Sequence, residues 1–379
     1  MGVQKHLVTT TLKFGCDPEL FFVKKGTAGR KYPTVVGAEK VRFKCPTIVP
    51  DGVQVELHPD ATPCRALIGN TIGRLLPTVQ QLAEQAGLEV CWNQVVTVSR
   101  QELSTLSLEA QQLGCMPSFN IYGRSQKMLD GLTYRKRSAA GHLHLGSTAI
   151  DRGVIKQKAA CISPKLLVPL LDILVGLPMV MIDRDPAATV RRKYYGKAGE
   201  YRLPTHGLEY RTLSNFWLRD YKLMSLVMGQ ARTAVYLAYG SSIIDELSLY
   251  PSAQFARHEA HDIITTVSLP TVEKAINTND IILAHQEFDK VKPILDTITI
   301  TDGIANHTPT SGPNKDYWKD WDYFLSRPLE EWLPGIKDPI TAWASKGDGH
   351  GKGWESFFTG RVHEARRASE ASTKKEVRA

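Results

Sequence analysis

Gly141-His142-Leu143-His144-Leu145-Gly146 decides how this chain reads. Two histidines alternate with leucines between glycines. Successive side chains on a strand point to opposite faces, so both imidazoles share one face and both leucines the other. Three further segments repeat the pattern. Asp17-Pro18-Glu19 puts two carboxylates on one face. Val53-Gln54-Val55-Glu56-Leu57-His58 separates valine and leucine from Gln54, Glu56 and His58. Leu208-Glu209-Tyr210-Arg211 separates Glu209 and Arg211 from Leu208 and Tyr210. The four strands are expected to form one sheet, with the shared polar face a metal and phosphate site.

The totals fit an ordinary globular protein. The 379 residues suffice for one large domain or two smaller ones, and 42% hydrophobic with 23% charged residues can build a substantial core. The net charge of +8 permits an anionic ligand without demanding nucleic acid. Basic residues cluster at Arg135-Lys136-Arg137 and Arg191-Arg192-Lys193. The six cysteines lie within the first 161 residues and form no C-x-x-C pair, which points to reduced thiols in a cytoplasm. The start, Met1 to His6, has no apolar signal core and fails the myristoylation pattern. The most apolar run, Leu166 to Ile182, is interrupted by Pro169, Asp172, Gly176 and Pro178 and reads as core.

In chain order, residues 11–24 read as one strand, with Pro18 marking an edge or bulge. Asp51-Gly52 is a tight-turn signal leading into the next strand. A helix starts after Thr62, its apolar stripe running through Leu67, Ile68, Ile72, Leu75, Leu76, Val79 and Leu82. Pro77 should kink or shorten it. Residues 88–99 read as a strand and 101–113 as an exposed helix. A second, apolar helix opens at Ser163 or Pro164. Asp183 to Tyr201 reads as a long polar loop. A strand at 207–213 precedes a long helix capped by Ser214 or Asn215 and ending near Gly240. Residues 255–300 hold two or three helices, broken at Pro270 and around Asn277-Thr278-Asn279. Five of the seven tryptophans lie between Trp318 and Trp354. They form either a binding platform or a set of aromatics pinning the C-terminal segment, the second being favoured. The expected organisation is a catalytic part over 1–240, a helical extension over 241–305 and an irregular segment over 306–379.

Familiar nucleotide signatures are missing. In Gly347-Asp348-Gly349-His350-Gly351-Lys352-Gly353 the residue after Gly351-Lys352 is glycine, and Lys346 stands where the first P-loop glycine belongs. The segment also fails G-x-G-x-x-G, and no G-x-S-x-G, H-E-x-x-H or kinase pattern occurs. The polar face holds acids, histidines and an arginine, where solvated sheets carry Thr, Lys, Ser and Gln. Carboxylates from separate strands suit Mg²⁺ or Mn²⁺, while the imidazoles also admit Zn²⁺. Gathering them without a cation is unfavourable.

These segments resemble a known superfamily. Asp17-Pro18-Glu19-Leu20-Phe21-Phe22 is similar to the paired-acid first strand of the glutamine synthetase and glutamate–cysteine ligase superfamily. Gly141-His142-Leu143-His144 is similar to its G-x-H-x-H segment, and Leu208 to Arg211 with Ser214 to Leu218 to its late E-x-R strand and following helix. Gly15 to Glu19, Asp51 to Glu56, Gly114 to Tyr122 and Tyr194 to Arg202 resemble the phage-encoded carboxylate–amine ligases called type 2 amidoligases. The resemblance covers about residues 14–218. It implies an α+β fold whose curved antiparallel sheet, a half-barrel, holds ATP and two or three Mg²⁺ ions. By position it assigns Asp17, His142 and Glu209 to the metal bridging the ATP phosphates. Glu19 and Glu56 go to the metal near the substrate carboxylate. Arg202 and Arg211, with Arg191 or Arg192 in the same role, would neutralise phosphate or carboxylate charge, and His144 would sit near nucleotide or substrate. The catalytic set expected from it is Arg202, Arg211, His144 and Arg192, with Arg191, Lys197 and Arg137 binding cofactor. Two departures stand out: Asp17 replaces the usual Glu, and Glu56 is the one clear acid where two are usual, with Asp51 a possible substitute.

The implied reaction is carboxylate activation by the γ-phosphoryl of ATP, followed by attack of an amine on the acyl phosphate. The site must exclude water, and the 183–201 loop is the candidate lid. The carboxylate and amine are small molecules or peptides. No membrane partner is expected, nucleic acid is disfavoured and the oligomeric state is open. Two rivals remain: a two-metal phosphoester hydrolase, and a non-catalytic structural or interaction protein keeping the fold.

Overall fold

The computed structural model describes residues 9–62, 65–112, 118–123, 131, 133–150, 164–183, 185–239, 257–297 and 334–343. The glycine-rich 347–353 segment, four of the five C-terminal tryptophans, residues 113–117 and both chain ends lie outside them.

Alternating side chains and turn residues build three antiparallel sheets. The strands in chain order are β1 (Thr9–Cys16), β2 (Glu19–Lys24), β3 (Val35–Val36), β4 (Ile48–Asp51), β5 (Gln54–Leu57), β6 (Leu88–Cys91), β7 (Val95–Thr97), β8 (Phe119–Asn120), β9 (Lys136–Ser138), β10 (Leu143–Ile150), β11 (Glu200–Arg202) and β12 (Gly207–Tyr210). One five-stranded sheet has the order β1-β10-β12-β11-β8. A second has the order β3-β2-β5-β4, with β6 also paired to β2, and β7 pairs with β9. With the helices described below, the fold class is α+β. The expectation of a single site sheet is corrected: the histidine strand and the Glu209 strand belong to the first sheet, Glu19 and Glu56 to the second.

The joint is Asp17-Pro18, where the expected continuous strand over 11–24 breaks in two. Cys16 still pairs with Leu143 of the first sheet, and Glu19 pairs with Glu56 of the second. Pro18 lacks the N–H that a continuing ladder needs. Its carbonyl accepts from Leu57 N at 3.1 Å, and Glu19 N donates to Ala140 O at 2.8 Å. The joint is thus tied to β5 and to the segment that leads into β10.

Leu143, Leu145, Leu208 and Tyr210 enter one large core together with Leu20, Phe22, Val55 and Leu57. A helix over Arg65–Gln85 covers it, with Ile68, Ile72, Leu76 and Val79 fully buried. Pro77 does not end this helix, because packing on both sides of the proline holds the turn. The 88–99 segment is two strands instead of one. The 101–113 segment is two single turns, Arg100–Leu103 and Leu108–Gln111, each opened by a serine cap that offers too few apolar anchors for a longer helix. Phe21, Val23, Val53 and Val96 fill a second core on the other side of the second sheet.

The run Pro164–Ile182 is a 19-residue helix, long and apolar enough to cross a membrane but buried within the fold, as expected of a core element. Helices Tyr221–Tyr239, Arg257–Thr266, Leu269–Thr278 and Ile281–Thr297 pack around it. Pro270 opens one of them, and Asn279 ends it in the left-handed conformation that asparagine tolerates. Ser214 caps a 3₁₀ turn over Asn215–Arg219 instead of the long helix itself, and the helix restarts after Asp220. Trp343 is buried and donates to Leu218 O at 2.8 Å, so it pins its segment to the body.

The central helix widens to a π turn over Asp172–Gly176. Such turns insert an extra residue and re-aim a side chain. Asp172, fully buried, accepts from Tyr210 Oη at 2.7 Å and Tyr122 Oη at 2.8 Å. Gly176 is needed here, because a Cβ would stand 2.8 Å from Ile276 Cδ1 and 3.0 Å from Tyr210 Oη. Burial pushes the Asp172 carboxyl up to about 7 although the hydroxyls oppose it. Folded protein therefore keeps a proton that the unfolded chain, with a carboxyl near 4, has released. Stability should fall as pH rises from about 4 to about 7. Asp172→Asn should flatten that slope. Asp172→Ala, which strips the acceptor from two tyrosines, should cost about 2–4 kcal/mol. Urea unfolding across this pH range measures both.

Candidate active site

Four side chains meet at the joint between the sheets. Gly141 starts the histidine strand. A Cβ there would collide with the Trp217 indole and the Ser214 carbonyl, and Trp217 Nε1 donates to Gly141 O at 3.0 Å. This contact fixes where His142 begins. His144 lies opposite Glu209 across β10 and β12 and opposite Gly15 across β1. Asp17 follows directly after β1. His142 Nδ1 stands 3.2 Å from Asp17 Oδ1 and 3.3 Å from Glu209 Oε1. His144 Nε2 is 3.0 Å from Asp17 Oδ2, and its Nδ1 is 2.9 Å from His206 Nε2. Asp17, His144 and Glu209 each bring a ligand atom within 4.8 Å of the others.

Two arginines flank Glu209. Arg202 Nε and Nη2 each reach one of its oxygens at 2.7 Å, a bidentate pair. Arg211 Nε, fully buried, is 3.3 Å from Oε1. Tyr195 closes the back of the cluster. Its hydroxyl lies 2.7 Å from His142 Nε2 and also takes a hydrogen bond from Arg211 Nη2.

Beyond Pro18 stands a second cluster. Glu19, Asp51 and Glu56 bring ligand oxygens within 4.8 Å of one another. Glu19 and Glu56 are direct cross-strand partners, and Asp51 closes the β4–β5 hairpin opposite Gln54. Glu19 is buried and one of its oxygens accepts from Ala140 N at 2.7 Å. Glu56 pairs with His58 at the rim.

The two clusters differ electrostatically. Burial opposes ionisation of Asp17, but His142 and His144 outweigh it and hold the carboxyl low. Burial likewise opposes Glu209, and Arg202, His142 and Arg211 hold it low. Glu19 is the reverse: burial, then Asp51 and Glu56, push its carboxyl well up. Burial also raises Asp51 and Glu56, with Asp17 adding to both. His142 is pushed down by burial against the pull of Asp17, a shift toward the neutral imidazole, the form that ligates metals. Hard oxygen donors at Glu19, Asp51 and Glu56 fit Mg²⁺, and the imidazole-bearing set also admits Mn²⁺ or Zn²⁺. Asp17 Oδ1 is buried with no hydrogen bond among the described residues, as a ligand oxygen would be.

The structure thus brings together Asp17, Glu19, Glu56, His142, His144, Glu209, Arg202 and Arg211. The other expected cations find their hydrogen-bond partners elsewhere. Arg191 is buried with its donors on backbone, to Thr212 O at 2.7 Å and Leu213 O at 2.6 Å. Arg192 turns to Asn279. Arg137 donates to the carbonyls of Tyr134, Gln111 and Gly131. All three serve as internal braces, because a buried guanidinium must find acceptors, which backbone carbonyls supply to Arg191 and Arg137 and the Asn279 side chain to Arg192. Lys197 lies on the turn before β11, and its carbonyl accepts from Thr212 Oγ1 at 3.0 Å. The expected long loop over 183–201 is corrected as well. It contains a helix over Ala187–Arg192 and the strand β11, and Ala198 is held between Asn277 and Asn120 side chains. Sequence reading left Asp51 open and missed Tyr195 and His206. Asp51 registered as a turn residue, whereas Tyr195 and His206 sit on segments without periodicity.

Comparisons with known proteins follow the same line. Residues 127–306 match the family model described as Phage phiEco32-like COOH.NH2 ligase-type 2. This span includes His142, His144, Arg202, Glu209 and Arg211, while Asp17, Glu19, Asp51 and Glu56 precede it. No curated protein sequence matches the chain. Among solved structures, apo GmaS aligns at 12% identity with a TM-score of 0.35, covering 87% of this chain and 73% of that one. A structure described as a novel glutamine synthase homolog aligns at 11% identity and 0.31, covering 83% and 71%. A GmaS/ADP complex aligns at 12% and 0.26, covering 76% and 71%. Overlaps this loose carry no weight for function. Residues 127–306 are thus similar to the phage phiEco32-like carboxylate–amine ligase type 2 family.

Proposed function

We propose that the face around Asp17-Pro18-Glu19 carries out ATP-dependent amide formation through an acyl phosphate. The observation that carries this is the pairing of two unlike ligand sets on either side of Pro18. One set is already neutralised by His and Arg; the other is three carboxylates in need of a cation. Glu19, Asp51 and Glu56 hold one divalent ion, and Asp17, Glu209 and a histidine hold another. Bound there, divalent ions would screen phosphate charge and orient the reacting oxygens. Arg202 and Arg211 supply positive charge beside Glu209 for the transferring phosphoryl group.

The substrate carboxylate oxygen takes the γ-phosphoryl of ATP and ADP leaves. The amine nitrogen then attacks the acyl carbon, the C–O bond to phosphate breaks, and amide, phosphate and a proton are released. Small-molecule or peptide carboxylates and amines are the proposed substrates. Free thiols at Cys16, Cys45 and Cys91 accord with a reducing, cytoplasmic setting.

Two outcomes are expected. Mg·ATP with a panel of amino acids, polyamines and peptides should yield ADP only when carboxylate and amine are both present, and Glu19→Ala should lower the rate at least about 100-fold. Mass spectrometry should find the amide. Turnover of phosphoesters without an amine would replace this reading with hydrolysis. Second, Glu19→Gln removes one member of a repelling trio, so the metal-free chain should gain about 1 kcal/mol. The raised Glu19 carboxyl also makes metal-free wild type lose stability as pH rises above about 4, and the variant should lose that share of the slope. Mg²⁺ should raise the melting temperature of the wild type and not of the variant.

A further inference from the structure

Tyr195 has no step in the reaction above, yet the structure restrains it from three sides. Its ring lies between the Arg191 and Arg211 guanidinium groups, 5.1 and 5.2 Å from the centroid. Its backbone N donates to Arg191 O at 2.9 Å. Arg191 in turn is fixed to the carbonyls after β12. The hydroxyl so placed meets His142 Nε2 at 2.7 Å. The other ring nitrogen, Nδ1, has Asp17 Oδ2 at 3.4 Å and faces Asp17 Oδ1 at 3.2 Å and Glu209 Oε1 at 3.3 Å.

The last two distances are long for an N–H donating to a carboxylate, which closes to about 2.7–2.9 Å. They match neighbouring ligands of one octahedral ion. Bonds of about 2.1 Å at right angles put the ligand atoms about 3 Å apart. His144 is placed differently. Its Nε2 is 3.0 Å from Asp17 Oδ2 and its Nδ1 2.9 Å from His206 Nε2, both closer than the 3.2 Å at which His142 Nδ1 meets its nearest carboxylate oxygen.

We propose that Tyr195 is a positioning residue that aims Nδ1 of His142 at the metal shared with Asp17 and Glu209, while His144 holds Asp17 in place. A phenol oxygen can donate or accept. When it accepts Nε2–H, the Nδ1 lone pair is left for the cation, and the hydroxyl fixes both tautomer and ring orientation. The geometry also explains why both flanking guanidinium groups stack on this ring: they hold the hydroxyl still. The inference rests on the metal reading given under Proposed function.

The test uses the full chain, freed of metal, titrated with Mn²⁺ and followed by electron paramagnetic resonance. Tyr195→Phe keeps the ring and its stacking and loses only the hydroxyl. Mn²⁺ should bind it about 10–100-fold more weakly than wild type, with the metal-free melting temperature unchanged. Pulsed spectra of bound Mn²⁺ should show a nitrogen coupling in wild type and His144→Gln and none in His142→Gln. Wild-type affinity in Tyr195→Phe, or a nitrogen signal lost only in His144→Gln, overturns the assignment while leaving the metal centre intact. The spectra decide the matter even if Tyr195→Phe does not fold. A wild-type chain that takes up no Mn²⁺ overturns the metal reading itself and this inference with it.

Discussion

Glu19, Asp51 and Glu56 repel one another, and three carboxylates stay within 4.8 Å only if the backbone beneath them is held by something stronger. Here it is held by the residues between them. Leu20, Phe22, Val55 and Leu57 are buried to the last few square ångströms, each fixing a neighbour on the opposite face of its strand. A one-residue slip of β5 against β2 would turn Glu56 into the core and Val55 into the site. The apolar face therefore enforces the arrangement of the acids.

The break at Asp17-Pro18 divides that face into two environments. On one side, carboxylates are partnered by protein groups: two imidazoles at Asp17, two guanidiniums at Glu209. On the other, three carboxylates crowd one another, and His58 pairs with Glu56 at the rim. Separate environments would let one face hold cations of different demand.

Behind the face, buried polar groups do the holding. Asp172 joins the central helix to Tyr210, the residue between Glu209 and Arg211. Arg191 grips the carbonyls that follow β12, and Trp217 fixes Gly141. Each sits one layer below a site side chain. None touches the open face, yet each limits how far Glu209, Arg211 or His142 can move.

The sequence by itself determined the local half of this picture. Period-two alternation identified which residues of Leu143–Leu145, Val55–Leu57 and Leu208–Tyr210 face the large core, although Val53, expected beside Val55 and Leu57, packs in the second core instead. Alternation is a property of each strand alone, so it survives in one dimension. Tertiary structure decided everything that depends on which strands meet. Two sheets replaced the expected one because Pro18 breaks the ladder and each flank found a different partner. Asp51 joined Glu19 and Glu56 because a hairpin carried it there. Arg137, Arg191 and Arg192, alike in sequence to Arg202 and Arg211, became braces because their helix and strand turned them toward carbonyls. A charged side chain takes its role from what it is buried against, and that neighbour can lie anywhere along the chain.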